Sequence, residues 1–184
     1  TPEPDLQGRL ELLATDGSTV LGSANPTGSG NSLVLQDVKL EISGDYTVRV
    51  SRLEGSGGFQ VQLVLNAGLE DEAFGGASNN SRQTAQELDS SAIALTATAD
   101  RLAAIGDVEK GNADLYRFSL SAGQSASVAL TLTQDFERGS TVGLDLYAAD
   151  GTPLASGSGD TQRVTRYIHD VVSASGGDFY LRVY

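Results

Sequence analysis

The sequence contains no cysteine, a single histidine and few basic residues. Without cysteine, neither a disulfide framework nor a thiolate metal site can form. Lysine and arginine number 12 against 24 aspartates and glutamates, which gives a net charge of −12. Because a field of this sign repels phosphate backbones and anionic lipid heads, we expect no nucleic-acid or membrane-surface partner. Cations are the compatible ligands.

Long apolar runs and helical periodicity are also missing from the sequence. No apolar run approaches the roughly 20 residues that a membrane-spanning helix needs, so we predict no membrane insertion. A Ser-His-Asp catalytic group would have to use His169, but no Gly-x-Ser-x-Gly motif places a nucleophile on a strained turn. We therefore predict that His169 faces solvent in a structural role and that the chain is not an enzyme.

An internal repeat is the strongest positive signal. Gly44–Val50 (Gly-Asp-Tyr-Thr-Val-Arg-Val) returns as Gly177–Val183 (Gly-Asp-Phe-Tyr-Leu-Arg-Val), and the segment from Leu10 through Asp16-Gly17 returns from Leu144 through Asp150-Gly151. The offset is 133 residues for the first pair and 134 for the second. Since the two echoes share a register to within one residue, we interpret them as copies of one structural unit.

Alternation of apolar and polar residues, which is typical of half-buried strands, recurs along the chain. Strands are predicted around Leu10–Ala14, Leu33–Ile42, Tyr46–Val50, Phe59–Leu65, Ile93–Leu95, Leu102–Ile105, Tyr116–Leu120, Val128–Leu132, Leu144–Ala148, Val164–Val172 and Phe179–Val183. The inward faces are predicted to include Tyr116, Phe118, Val128, Leu130, Leu144, Leu146, Phe179 and Leu181. The 22 glycines supply turns between these runs.

Three short segments are predicted to close hairpins. Asp16-Gly17 follows the first strand, Glu54–Gly58 precedes the alternating run Phe59–Leu65, and Ser121–Gln124 joins the runs at 116–120 and 128–132. Strands at this spacing with glycine-rich turns predict an all-β fold of antiparallel β-sandwich or jelly-roll modules in tandem. We predict the C-terminal part of a first sandwich over residues 1–66, an acidic glycine-rich linker over 67–79, and a second sandwich that lacks its last strand over 80–184.

The order of motifs resembles the bacterial pre-peptidase C-terminal domain family, which is similar in fold to the collagen-binding domains of clostridial collagenases. The matching segments are Glu70–Glu72, Asn79–Ser81, Thr84-Ala85, Gly106-Asp107, Asp114–Phe118, Ala122-Gly123, Leu144–Gly151 and Gly177–Val183. Val108–Ala113 is inserted where the family places Gly-Asp and Asp-x-Tyr nearly side by side. The match covers most of 79–184 and, for the back half of the family pattern, about 8–65.

This resemblance implies a secreted or cell-surface bacterial protein in which the domain accompanies an exported hydrolase or recurs in a surface protein. Flanking repeats, neighbouring copies, or an extracellular protein or polysaccharide surface are the implied partners. A structural subunit of an extracellular filament or surface layer, assembled by strand addition between repeats, is the alternative. A parent sequence with a peptidase domain would favour the first interpretation, and one made of further copies the second.

The acidic linker is the one segment with a plausible ligand. Calcium takes six to eight oxygen ligands, and the candidates are Glu70, Glu72, Asn79, Asn80, Asp107 and Asp114. A run of acidic residues is usually solvated charge. However, some members of the family that this sequence resembles bind calcium at the corresponding linker. Calcium is therefore the expected cofactor.

The repeat also predicts an incomplete first copy. Residues 1–66 contain counterparts of 142–183 but none of the strands around Tyr116–Leu120 and Val128–Leu132. Conversely, no counterpart of Phe59–Leu65 follows Val183. We therefore expect unpaired strand edges and uncovered apolar faces, completed by strands from outside this segment. The alternative is that the two incomplete halves pack into one closed unit.

Overall fold

The computed structural model describes residues 5–109, 111–133, 142–159 and 166–184. The fold is all-β, as predicted, with two short 3-10 helices at Glu72–Phe74 and Asp89–Ser91. No helix in these ranges is long and apolar enough to cross a membrane. The strands are β1 (Gln7–Leu13), β2 (Val20–Ala24), β3 (Thr47–Glu54), β4 (Gly68–Leu69), β5 (Gln86–Glu87), β6 (Ile93–Thr96), β7 (Ala99–Arg101), β8 (Ala104–Ile105), β9 (Asp114–Leu120), β10 (Ser125–Leu130), β11 (Leu144–Ala148), β12 (Pro153–Ser156), β13 (Ser158–Gly159), β14 (Arg166–Val172) and β15 (Gly177–Val183).

The chain divides into two compact units. Unit 1 comprises the chain up to Gly76 together with Ser90–Gly106, and unit 2 comprises Ala77–Asp89 and Asp107–Tyr184. The chain leaves unit 1 and enters unit 2 after Gly76, which lies inside the segment predicted to be a linker. Residues 90–106 lie in the range assigned from sequence to the second sandwich, yet they cluster with unit 1.

Pairing of distant short strands explains why residues 90–106 belong to unit 1. Strand β8 pairs in parallel with β4, so that Gly68 lies opposite Ala104 and Leu69 opposite Ile105. The backbone N–H of Glu70 donates to the carbonyl of Ile105 at 2.9 Å. These contacts join residues more than 30 positions apart, which local sequence patterns do not reveal.

The main sheet of unit 1 is antiparallel, with strand order β2-β1-β3. Strand β1 is central, and it pairs with β3 from Gln7 opposite Glu54 to Leu13 opposite Thr47. Strands β6 and β7 form a separate two-stranded ribbon. Among the described residues of this unit, β3 ends the main sheet.

Unit 2 contains a five-stranded sheet and a three-stranded sheet. Their strand orders are β12-β11-β15-β9-β5 and β10-β14-β13. All pairings are antiparallel except that of the short β5 with β9. The predicted antiparallel sandwich class is thus confirmed, with short parallel pairs at its margins.

Most of the predicted inward residues of unit 2 are buried. Leu144 and Leu146 are 2% and 0% exposed, and Tyr116, Phe118 and Phe179 are also buried. Val128, Leu130 and Leu181 are half-buried. The central strands β11, β15 and β9 therefore carry the core, because their apolar faces are covered most completely.

The predicted Ser121–Gln124 hairpin is wrong in its topology although its turn is present. The N–H of Gln124 donates to the carbonyl of Ser121 at 3.1 Å, and Gly123 has a φ of 83°. However, β9 before the turn and β10 after it belong to different sheets. The turn carries the chain from one sheet to the other, which a local turn signal cannot distinguish from a hairpin.

Two other predicted strands are not formed. Residues 33–42 and 59–65 alternate in sequence but contain no strand. The prediction of a hairpin at Glu54–Gly58 is therefore also wrong, since residues 59–65 form no strand that could pair with β3. Alternation describes how side chains would face, whereas a strand also requires a partner edge. The start of the predicted run at Val164 lies outside the described residues.

Leu146 and its repeat counterpart Leu12 offer a matched test of the core. We expect Leu146→Ala to lower the free energy of unfolding by about 2–5 kcal/mol, because a fully buried leucine leaves a cavity. Leu12→Ala should cost clearly less, because Leu12 is only half-buried. Urea unfolding followed by circular dichroism, with hydrogen exchange assigning each transition, measures both. Equal losses would contradict the difference in packing.

Candidate functional site: the open edge of strand β3

The two copies of the repeat fold into the same three-stranded sheet. Strand β1 pairs with β3 as β11 pairs with β15: Leu10 lies opposite Val50, and Leu144 lies opposite Val183. One position along, Glu11 faces Arg49 and Asp145 faces Arg182. The two repeated sequence segments therefore pair in the same strand register, and the sheet β2-β1-β3 corresponds to β12-β11-β15.

The outer strands of the two copies match as well. A register irregularity falls between Leu12 and Leu13 where β1 pairs with β2, and between Leu146 and Tyr147 where β11 pairs with β12. An irregularity at corresponding places shows that the correspondence extends beyond the central pair.

The connecting turns account for the one-residue change in offset. The carboxylate of Asp16 accepts from the N–H groups of Ser18 and Thr19 at 2.8 Å each. Asp150 accepts from the N–H of Thr152 at 2.8 Å. The hydroxyl of Thr19 also donates to Asp16, at 2.5 Å, and this hydrogen bond is the main reason that the pKa of Asp16 is lowered, with the N–H groups adding to it. The hydrogen bond from the N–H of Thr152 is the main reason that the pKa of Asp150 is lowered. The first turn is one residue longer, which changes the offset from 134 to 133 residues.

A buried carboxylate joins β1 to β3. Glu11 is 3% exposed, and its oxygens contact Arg9 Nη2 at 2.9 Å and Arg49 Nε at 2.7 Å. The hydrogen bond from Arg49 is the main reason that the pKa of Glu11 is lowered below its usual value. Because Glu11 holds Arg49, this guanidinium is engaged within its own sheet.

In unit 2, the far edge of β15 is occupied by β9. The pairing is antiparallel and runs from Gly177 opposite Leu120 to Val183 opposite Asp114. Asp178 contacts Arg117 Nη1 at 3.6 Å and accepts from the hydroxyl of Ser119 at 3.2 Å. The rings of Phe118 and Phe179 stack with centroids 6.0 Å apart. Backbone pairing, one charge pair and one aromatic pair thus fix β9 on this edge.

The corresponding edge in unit 1 is open. Strand β3 pairs with β1 on one side, and no other strand of the described residues pairs with it. All of its residues are exposed except Ser51, which is half-buried. Asp45, the counterpart of Asp178, is exposed, and no described residue forms a hydrogen bond or ion pair with its side chain.

The apolar face of the first copy is also less covered than that of the second. Val48 and Val50 are 39% and 38% exposed, whereas Val183, the counterpart of Val50, is 9% exposed. A Cβ on Gly22 would lie 2.8 Å from Val38 Cγ2 and 3.1 Å from Leu35 Cδ1, so these two side chains lie over that part of the sheet. They cover the β2 side of the face and leave the β3 side accessible.

Exposed apolar side chains are concentrated in unit 1. Unit 2 contributes Leu154, Val172 and Tyr184 to the exposed large hydrophobic residues described. Unit 1 contributes Val20, Leu21, Leu40, Ile42, Val48, Val50, Leu53, Phe59, Val61, Leu63, Leu65, Phe74, Leu95 and Ile105. The uncovered faces and unpaired edge expected of the first copy are present among the described residues. The same expectation for the second copy is wrong at β15, which pairs with β11 on one side and with β9 on the other. The counterpart of Phe59–Leu65 that the second copy was expected to lack forms no strand in the first copy either.

The six calcium candidates are divided between the two units. Glu70 and Glu72 belong to unit 1, and the other four belong to unit 2. Glu70, Asn79 and Asp114 are buried, Glu72 is half-buried, and Asn80 and Asp107 are exposed. In the part of the chain that the structure describes, no three His, Asp or Glu side chains form a group that could hold a metal ion. Calcium binding at these residues stays a prediction.

Sequence reasoning missed a polar contact beside this linker. Gln36 donates through Nε2 to Asp71 Oδ1 and accepts through Oε1 from the N–H of Leu69 at 3.0 Å. Burial, with a smaller contribution from the charge of Asp37, raises the pKa of Asp71 above its usual value. No sequence motif marks this contact, because its partners are about 35 residues apart.

His169 is exposed on β14, as predicted, and its ring packs edge-to-face against Tyr167 with centroids 4.9 Å apart. Asp170, its neighbour, accepts instead from the hydroxyl of Ser127 at 3.2 Å, and the N–H of Asp170 donates to the Ser127 oxygen at 3.1 Å. The serine and aspartate thus join β10 to β14 without involving the imidazole.

Comparison with known proteins gives no assignment: no protein-family model matches this sequence, and no curated protein shows significant similarity to it.

The Glu11 contact predicts a pH-dependent contribution to stability. Because its pKa is lowered in the folded state, the stabilisation is present above the ordinary glutamate pKa and is lost as pH falls through the folded value. We expect Glu11→Gln to lower the melting temperature at pH 7, with the deficit shrinking as pH is lowered towards 3. Calorimetry across this range measures it, with Glu41→Gln at an exposed position as the control. A deficit that is independent of pH would contradict the assignment.

Proposed function

We propose that this chain is a non-catalytic β-sandwich repeat module of a secreted or cell-surface bacterial protein. Its role is adhesion, binding to a substrate or surface, or service as the accessory domain of an exported hydrolase. The observation that supports this proposal most is that one sheet, with one strand register, is built twice. A sheet built twice within one chain fits a repeat protein, in which one structural unit recurs along the sequence.

The chemistry of the chain supports the same proposal. The order of motifs from Glu70 to Val183 resembles a domain family that accompanies exported hydrolases. A net charge of −12 disfavours polyanionic partners. An extracellular protein or polysaccharide surface is therefore the partner class that we propose.

A structural role in an extracellular filament or surface layer is the second candidate. The open edge of β3 favours it, because an unpaired edge is a template for adding a strand from another chain. In this role, flanking repeats or neighbouring copies would be the main partners.

Surface binding can be tested with the 184-residue chain and immobilised probes. We expect saturable binding to at least one of type I collagen, cellulose, chitin and peptidoglycan in biolayer interferometry, competed by soluble chain. Absence of binding to all four would contradict a surface-binding role. Filaments seen by negative-stain electron microscopy on concentrating the protein would favour the structural role instead.

Calcium binding stays a prediction with its own test. The described carboxylates do not form a metal-binding group by themselves, so a site would also need amide or backbone oxygens. A ligand that binds only the folded state raises the melting temperature. If the prediction holds, millimolar calcium raises the melting temperature in calorimetry and a chelator reverses the rise, whereas magnesium serves as the control. No heat and no shift would contradict it.

A further inference from the structure

Strands β3 and β15 occupy the same place in the two copies of the sheet, but their outer edges differ. Each strand pairs on one side with its central partner, β1 or β11, in matching register. On the other side β15 carries β9, whereas β3 ends the sheet of unit 1 among the residues that the structure describes. The second copy therefore shows which kind of strand fits the vacant edge of the first.

The register of that strand can be transferred position by position. In unit 2, Leu181 lies opposite Tyr116 and Phe179 opposite Phe118. The repeat places Val48 at the position of Leu181 and Tyr46 at that of Phe179. A strand with the β9 sequence would therefore set its tyrosine opposite Val48 and its phenylalanine opposite Tyr46.

The side chains of the open edge complement such a strand. Tyr46 is half-buried, and its hydroxyl donates to the carbonyl of Ile42 at 2.6 Å, which holds a ring where Phe179 stacks on Phe118 in unit 2. Val48 is 39% exposed and offers apolar surface to an incoming tyrosine. Cross-strand aromatic and aromatic–aliphatic pairs of this kind stabilise sheets.

The charge at the start of the edge is complementary too. Asp178 pairs with Arg117 of β9 at 3.6 Å in unit 2. Its counterpart Asp45 is exposed, and no described residue forms an ion pair or hydrogen bond with its side chain. An arginine at the Arg117 position of an added strand would meet this carboxylate.

We propose that the outer edge of β3 is an acceptor site for an added antiparallel strand with the β9 pattern, Asp-Leu-Tyr-Arg-Phe-Ser-Leu, supplied by a further copy of the repeat. Backbone hydrogen bonds give the added strand its affinity, and the aromatic pair and Asp45 fix its register. This proposal rests on the proposed repeat-module function and names the partner of its open edge.

A synthetic peptide tests the site directly. Fluorescein-labelled peptide with the sequence of residues 113–121 is titrated with the 184-residue chain, and anisotropy is recorded. We expect saturable binding with one peptide per chain. Asp45→Arg should weaken binding several-fold, because attraction of the peptide arginine becomes repulsion, and a peptide carrying Arg117→Asp should restore it. Asp100→Arg, an equal charge change on β7, should leave binding unchanged.

Cross-linking tests the register. The chain lacks cysteine, so a single Val48→Cys variant has one reactive thiol. Residues directly opposite in an antiparallel pair are close enough for a disulfide. We expect this variant to cross-link to a peptide carrying Tyr116→Cys and much more slowly to one carrying Leu115→Cys, which is displaced by one position and faces the other side of the added strand.

Several outcomes would overturn the proposal. One is the absence of saturable peptide binding, and another is binding that Asp45→Arg does not weaken. Loss of binding in Asp178→Arg would show that the peptide displaces β9 from unit 2. Disulfide-linked dimers of Val48→Cys that peptide does not suppress would show that a second β3 occupies the edge. None of these results bears on the adsorption assay with immobilised surfaces, so failure of the acceptor site and failure of the proposed surface role are distinguishable.

Discussion

Hydrogen bonding along the edges of the strands is the requirement on which this structure depends. Every strand presents N–H and C=O groups along two edges, and unpaired groups shielded from water cost free energy. Strand β15 meets the requirement on both sides, through β11 and β9. Strand β3, its repeat counterpart, meets it on one side, through β1. The contrast between the two units follows from this difference.

Burial follows pairing, because a strand added to a sheet extends the apolar face available for packing. In unit 2, which has the five-stranded sheet, Leu144 and Leu146 on β11 are 2% and 0% exposed. In unit 1, a three-stranded sheet of the same register leaves Val48 and Val50 accessible. Leu35 and Val38 cover only the β2 part of the same face, at Gly22. The same apolar pattern therefore yields a core in one copy and an exposed face in the other.

Local signals in the sequence predicted the strands that have partners. The alternation at Leu10–Ala14, Tyr116–Leu120 and Leu144–Ala148 is matched by β1, β9 and β11. Equally regular alternation at Phe59–Leu65 forms no strand, because pairing is a non-local property that a single segment does not encode. For the same reason, single segments did not predict the parallel pairing of β4 with β8. They also did not predict which side chains line the open edge of β3. The open edge itself was foreseen only because the repeat supplied a second copy for comparison.

The charges around β3 bear on which strands its edge can accept. Natural edge strands often carry charged residues that oppose unwanted pairing, but Arg49 is engaged by Glu11, and Arg52 donates to the carbonyl of Gly55 at 3.1 Å. Asp45 remains as an accessible charge beside the exposed valines, and the exposed Glu54 lies at the far end of the strand. In a chain of net charge −12, association of like copies is opposed at long range. An added strand with an arginine near Asp45 is attracted to this carboxylate, whereas an added strand with an acidic residue there is repelled. A single carboxylate therefore discriminates between strands, which backbone hydrogen bonds alone cannot do.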